Sequence, residues 1–221
     1  FGAGEDFDNY PRTLERDAAM LAAEGTDLLF APSVRVMYPK AQAEQTRVEV
    51  PGLSDVLCGA CRPGHFVGVA TVVCKLFNMV QPDIALFGNK DYQQLMVIRR
   101  MVQDLAMPVK IIGVETMRES SGLAMSSRNG YLSDGERAIA PVLYRVLTGV
   151  AQALREGSQD FAGLQAQAAR ELDDNGLRTD YVAIRNAADL LEPAAGEDRL
   201  VVLAAAFLGK ARLIDNIEVA R

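Results

Sequence analysis

Apolar positions give the chain two textures. From residue 11 to 114, short continuous apolar runs alternate with longer stretches in which apolar residues recur every three or four positions. Continuous runs suit strands buried on both faces of a parallel sheet, and the three-to-four spacing suits amphipathic helices. The pattern predicts a helix over 11–24, opened by Pro11 and closed by Gly25, with Leu14, Ala18, Leu21 and Ala22 on its apolar face. It then predicts a buried strand over 26–31, a half-exposed strand over 47–50, and a buried helix over 66–80 that Pro82 ends. A strand over 83–88, a helix over 91–105 and a strand over 109–114 follow; the helix carries Leu95, Ile98, Met101, Val102 and Leu105 on one stripe. Core strands separated by helices argue for an α/β fold built on a parallel sheet.

The texture changes near residue 118. Residues 118–129 are polar and rich in Ser and Gly, which reads as a loop or linker. Beyond it, helices are expected over 136–155 and 159–175 and strands over 180–186, 200–207 and 211–215. Helices followed by short strands suggest a small α+β unit. The expected division is therefore 1–117 and 118–221.

Composition narrows the chemistry. The chain has 221 residues, 49% of them hydrophobic and 24% charged, so it can bury a sizeable core. No run of 18 or more apolar residues occurs, so no membrane span is expected. Asp and Glu outnumber Lys and Arg by 29 to 23, which argues against a nucleic-acid partner but leaves room for a local anion site. A single histidine, His65, excludes multi-histidine metal sites, and three cysteines suit a reducing cytoplasmic setting rather than a disulfide scaffold.

Five segments can carry chemistry. In Gly88-Asn89-Lys90-Asp91 a strand ends in Gly, a lysine follows and a helix begins, so free N–H groups and a mobile cation meet at a strand's carboxyl end. On spacing alone the same residues make an ordinary turn with Asp91 as helix N-cap. Met125-Ser126-Ser127-Arg128 offers two hydroxyls and a guanidinium for a phosphate, or is simply a polar linker. Arg62 and His65 open the apolar helix and suit an anion or a proton transfer, or helix-start packing. Cys58, Cys61, His65 and Cys74 have a spacing a zinc site could use, although Cys74 falls inside the apolar helix and a second Cys-x-x-Cys is lacking. Asp6, Asp8, Glu15 and Asp17 near the N-terminus could hold Mg²⁺, or serve as loop and first-turn charges.

Taken in order, the blocks Tyr10-Pro11-Arg12-Thr13-Leu14, Met37-Tyr38-Pro39, Arg62-Pro63-Gly64-His65-Phe66, Phe87-Gly88-x-Lys90-Asp91-Tyr92-Gln93-Gln94, Gly122 through Asn129 and Ala211-Arg212-Leu213-Ile214-Asp215-Asn216 resemble the pantoate–β-alanine ligase family. The resemblance implies a Rossmann-like nucleotidyltransferase domain with a smaller C-terminal lid domain, usually a cytoplasmic homodimer. It implies ATP-dependent condensation of pantoate with β-alanine through a pantoyl adenylate, with ATP and Mg²⁺ required. It implies catalytic roles for Lys90, Arg128, Ser126 and Ser127. ATP would be bound by Gly88, Lys90, Asp91, Met117, Met125, Ser126, Ser127 and Arg128, and pantoate by Gln94, Arg62 and His65. Asp17 is similar to an acidic residue near the Mg²⁺.

Two departures stand out. The family carries a His-x-Gly-His motif, within an opening βαβ unit, ahead of the first block; this chain does not contain it. The expectation is that the chain starts after that segment and is inactive or poorly folded alone. Asn89 stands where the family usually has Glu. The rival classes are another nucleotidyltransferase, such as a cytidylyl- or phosphopantetheine adenylyltransferase, and a noncatalytic nucleotide-binding fragment.

Overall fold

The computed structural model describes residue 7 and residues 10–41 and 44–221. The acidic candidates Asp6 and Asp8 lie outside the described residues. Helix α1 (Leu14–Ala23) and the short α2 (Val34–Met37) and α3 (Cys58–Cys61) precede the long α4 (His65–Val80). Strand β1 (Ile84–Gly88), α5 (Tyr92–Asp104) and β2 (Lys110–Val114) form one βαβ unit. Then come α6 (Asp134–Ile139), α7 (Val142–Arg155) and α8 (Phe161–Asp174), and finally β3 (Arg178–Asn186), β4 (Arg199–Leu208) and β5 (Ala211–Ala220).

β1 and β2 pair in parallel, from Ile84 opposite Lys110 to Gly88 opposite Val114. A single turn of 3₁₀ helix, Asn89–Asp91, leads from β1 straight into α5. β3, β4 and β5 form an antiparallel sheet in sequential order. The fold is thus α/β, with a parallel sheet and a small antiparallel C-terminal sheet.

β4 explains how the two halves join. Leu200, Val202, Ala204, Ala206 and Leu208 face a core made with α7 and α8. Val201 and Leu203, on the opposite face, pack in the core that contains Phe66 and Phe77 of α4 and Val97, Ile98 and Met101 of α5. Alternate side chains of one strand point to opposite faces, so a nearly all-apolar strand is what a sheet covered on both sides requires.

Three sequence expectations are corrected. Residues 26–31 form no strand: Leu28 is 79% exposed, Leu29 and Phe30 are each 46% exposed, and no strand pairs with them among the described residues. An apolar run supplies only one side of a strand, and ladder hydrogen bonds need a neighbour. Residues 47–50 are not a strand either; the Val48 N–H donates instead to the Thr71 hydroxyl on α4 (2.9 Å), and Val50 is buried beside that helix. The helix expected over 136–155 is two helices, because Pro141 lacks an N–H and stands at the N-cap of α7. The loop expected at 118–129 is present and carries its own hydrogen bonds: Met125 N–H donates to the Met117 carbonyl (2.9 Å), and Arg118 and Ala124 form a β-bridge.

Candidate functional site

Two local features build the turn at the end of β1. Gly113 on β2 leaves room for the Asn89 side chain, whose Oδ1 would collide with any Cβ there. The Asn216 side chain on β5 donates to the carbonyls of Asn89 (2.8 Å) and Lys90 (2.9 Å). Lys90 therefore stands on a turn gripped from a distant strand, and its Nζ lies 3.6 Å from Asp91 Oδ2. Asp91 is the N-cap residue of α5, but its carboxylate makes no capping bond. The cap expected from the sequence exists in position only.

The next residues divide their labour. The buried Tyr92 donates its hydroxyl to the Ala187 carbonyl (2.8 Å). Gln93, also buried, donates to the carbonyls of Leu53 (2.8 Å) and Val56 (2.7 Å) and accepts from Cys58 N–H (3.1 Å). Tyr92, Gln93 and Gln94 all line a small recess, the first two tied to the protein by these bonds. Gln93 thereby holds the turn that leads into α3, beyond which Arg62 and His65 follow. α3 can approach so closely because Gly59 has no Cβ; one there would run into the Ser54 carbonyl.

A cavity of about 560 Å³ opens between these elements. Arg62, Lys90, Arg128, Lys210 and Arg212 bring five cations to its lining, against the carboxylates of Asp91, Asp180 and Asp215. A smaller recess of about 50 Å³ shares Arg62, Lys90, Asp91 and Arg212 with it and is lined also by His65 and Gln94. At about 30 Å³ per water molecule the recess has room for one functional group rather than a whole metabolite. The structure thus brings together Arg62, Lys90, Asp91, Ser126 and Arg128 around one cavity and His65 and Gln94 around its recess.

Other expected site residues lie off these walls. Met117 and Met125 are 68% and 57% exposed at the neck of the 117–125 hairpin. Gly88 and Ser127 line neither cavity; the Ser127 hydroxyl donates to the Tyr10 hydroxyl (3.1 Å). Arg128 lies over the same Tyr10 ring, 5.3 Å from its centre. The Ser126 hydroxyl accepts from Arg128 N–H (3.2 Å) and caps the 3₁₀ turn Ser127–Tyr131. Asp17 is exposed on α1, takes a hydrogen bond from the Thr13 hydroxyl (3.1 Å) and lines neither cavity.

His65 begins α4, and its Nε2 lies 2.8 Å from an Arg62 nitrogen. A guanidinium has no acceptor, so Nε2 accepts and the ring proton sits on Nδ1 in this arrangement. The ring is therefore set to orient Arg62 rather than to donate a proton from Nε2.

The zinc alternative fails on geometry. Cys58 Sγ lies 3.1 Å from the Tyr181 hydroxyl and 3.4 Å from an Arg212 nitrogen. Cys61 Sγ faces Asp180 (3.6 Å), and burial, then Asp180, pushes its thiol above the usual range, away from the thiolate a metal needs. Cys74 meets Asn78 on its own helix. Among the described residues no three His, Cys, Asp or Glu side chains are grouped to hold a metal.

Sequence reasoning missed the wall from the C-terminal sheet. Arg212 holds Asp180 at 2.7 Å and Cys58 together; burial alone would lower its pKa, but Cys58 and Asp180 outweigh that and hold it charged. Arg118 makes a two-pronged pair with Asp215 (2.6 and 2.9 Å) and stacks 3.6 Å from the Tyr144 ring centre. These partners stand up to 154 positions apart, so local spacing carries no signal of them.

Comparison with known proteins gives a consistent picture. The pantoate-beta-alanine ligase family model matches residues 1–218. A protein from Pseudomonas fluorescens named pantothenate synthetase is 62% identical over 218 residues, spanning 98% of this chain and 76% of its own length. One of the same name from Shewanella oneidensis is 57% identical, spanning 98% of this chain and 77% of its own. The crystal structure of pantothenate synthetase from Thermus thermophilus superposes with a TM-score of 0.90 at 48% identity, covering 100% of this chain and 80% of that one. A pantoate-beta-alanine ligase from Francisella tularensis, complexed with beta-gamma ATP and beta-alanine, gives 0.76 at 33% identity, covering 96% and 72%.

Proposed function

This chain belongs to the pantoate-beta-alanine ligase family, and from that premise we propose that its cavity binds ATP and pantoate and joins pantoate to β-alanine. In the first step a pantoate carboxylate oxygen attacks the α-phosphorus of ATP. The bond from that phosphorus to the bridging oxygen breaks, and pyrophosphate leaves with the electron pair. In the second step the β-alanine amine attacks the acyl carbon of the pantoyl adenylate. The acyl–oxygen bond breaks, AMP leaves, the amine sheds a proton, and pantothenate results.

The observation that carries this reading is the excess of cations around one 560 Å³ cavity just past the carboxyl end of the parallel strand β1. Attacker and nucleotide are both anions, so the first step needs positive charge held in place before they meet. Lys90 and Arg128 both line the cavity and suit the phosphates; Ser126 adds a hydroxyl beside Arg128. Arg62, held by His65, suits the pantoate carboxylate, and Gln94 suits its hydroxyls. Gly88 and Asp91 flank the lysine turn, and the Met117 and Met125 backbone at the hairpin neck suits the adenine edge. Ser127 acts through Tyr10, which it holds under Arg128.

Among the described residues the carboxylates do not fit a protein-held Mg²⁺. Asp91 faces Lys90, Asp180 faces Arg212, and Asp215 faces Arg118. Asp17 lies on exposed α1 with Thr13 as its partner. Magnesium accordingly arrives with the nucleotide as part of the substrate. The family resemblance extends the proposal to a cytoplasmic homodimer with 118–221 as the lid over 1–117. Three free cysteines suit that setting, and no helix among the described residues is long and apolar enough to cross a membrane.

Pyrophosphate release from ATP, measured on a protein that also carries the family's His-x-Gly-His segment, tests the reading. It is expected to depend on added pantoate and to fall at least a hundredfold in Lys90→Ala. Release that ignores pantoate would refute it in favour of a different nucleotidyltransferase. ATP binding with no release would favour a nucleotide-binding fragment.

A further inference from the structure

The segment Arg212 to Asn216 holds two buried polar residues whose hydrogen bonds all go to the protein itself. Asp215 and Asn216 are 4% and 8% exposed in the middle of β5. Burying a carboxylate and an amide is costly unless each is fully bonded. Asp215 takes both prongs of Arg118 and also accepts the Asn216 N–H (2.8 Å). The Asn216 side chain spends both amide hydrogens on the carbonyls of Asn89 and Lys90. Arg118 in turn donates to the Gly122 carbonyl (3.1 Å), in the hairpin that leads to Ser126 and Arg128.

We propose that Asn216 is a positioning residue for Lys90, and that the Asp215-Asn216 pair sets the spacing between the two cationic walls of the cavity. One arm of the pair grips the turn that carries Lys90. The other grips, through Arg118, the hairpin that presents Arg128. An asparagine is the side chain the first task needs, since it offers two hydrogens from one nitrogen to two successive carbonyls. Asp at this position would set an anion against those carbonyls, and Ala would leave both without this partner. The residue touches no reacting atom itself; it fixes where the ammonium of Lys90 stands when the phosphates arrive, and misplacement there is costly to rate.

This inference rests on the ATP reading of the cavity, and the test separates the two. A nonhydrolysable α,β-methylene ATP is titrated by calorimetry into the wild type, Asn216→Ala, Lys90→Ala and the double variant. Thermal unfolding of each is recorded alongside. Loss of two hydrogen bonds to the lysine turn is expected to weaken analogue binding about tenfold. If Asn216 acts through Lys90, adding Asn216→Ala to Lys90→Ala costs no more than a further factor of about two. In turnover, Asn216→Ala is expected to raise KM for ATP and lower kcat while leaving KM for β-alanine unchanged. Should Asn216→Ala fail to fold, the near-isosteric and uncharged Asn216→Leu, which also lacks both amide hydrogens, takes its place in the cycle.

Losses that multiply in the double variant would show that Asn216 acts elsewhere than through Lys90 and would overturn the proposal. So would a weak-binding Lys90→Ala beside an Asn216→Ala that binds as the wild type. Unchanged affinity in Lys90→Ala would overturn the ATP reading first, and the positioning role with it.

Discussion

Replacing the Arg118 guanidinium isolates the energetics of the buried ion pair that ties the 117–125 hairpin to β5. Arg118→Met keeps an apolar side chain of similar reach and deletes the guanidinium, together with its stack on Tyr144. Asp215, with its side chain only 2% exposed, then keeps the Asn216 N–H but loses both prongs of its ion pair. Stranding one member of a buried pair costs about 3–5 kcal/mol, whereas an exposed pair would cost about 0–1 kcal/mol. The low exposure of Asp215 and the bidentate geometry place this pair in the first class. Urea unfolding at neutral pH should therefore lose about 4 kcal/mol, or on the order of 10 °C in Tm for a chain of this size. Arg118→Met/Asp215→Leu should recover most of the loss, because neither charge then remains buried. A loss below about 1 kcal/mol, or a double variant no more stable than Arg118→Met, would refute the reasoning.

Gly59→Ala should lower Tm and weaken ATP-analogue binding, since a Cβ there meets the Ser54 carbonyl and must push α3, and Arg62 beyond it, aside; an unchanged Tm would contradict this. Gln93→Leu should cost about 3 kcal/mol in urea unfolding, because it strands the Cys58 N–H and the Leu53 and Val56 carbonyls under α5. Glu136 closes a capping box on α6, and the Ser133 N–H and hydroxyl hold its carboxyl below the ordinary value of 4.5. Its contribution is present above that value and is lost as pH falls through the folded-state pKa, so Glu136→Gln should lower Tm at pH 7 and match the wild type in strong acid.

The sequence made some of this legible and withheld the rest for physical reasons. α4, α5, β1 and β2 were readable because each pairs an apolar period with a Pro or Gly stop close to its observed end. Residues 26–31 have an equally good apolar run, yet Leu28 and Phe30 stand exposed. Periodicity reports what a segment can bury; the strand or helix that would cover it lies elsewhere in the chain. Pro141 was an available signal for the break between α6 and α7, and the apolar pattern that continues past it masked the break. At the site, Lys90, Arg128 and Arg62 could be named from charge beside a Gly-rich or helix-start turn. Arg212, Asp180 and Lys210 could not, because they reach the cavity only through the packing of the C-terminal sheet. Asp215 and Asn216 were visible as a motif, but their task became clear only when Asn216 was found bonded to a turn 126 positions away.

The central claim is that the cavity between the Lys90 turn and the Ser126-Arg128 segment receives the triphosphate. A crystal structure with α,β-methylene ATP and pantoate tests it most directly. The account predicts phosphate oxygens within hydrogen-bond reach of both the Lys90 ammonium and the Arg128 guanidinium, with the pantoate carboxylate facing the α-phosphorus from the Arg62 side. A triphosphate bound elsewhere, or bound here with Lys90 turned away, would contradict it.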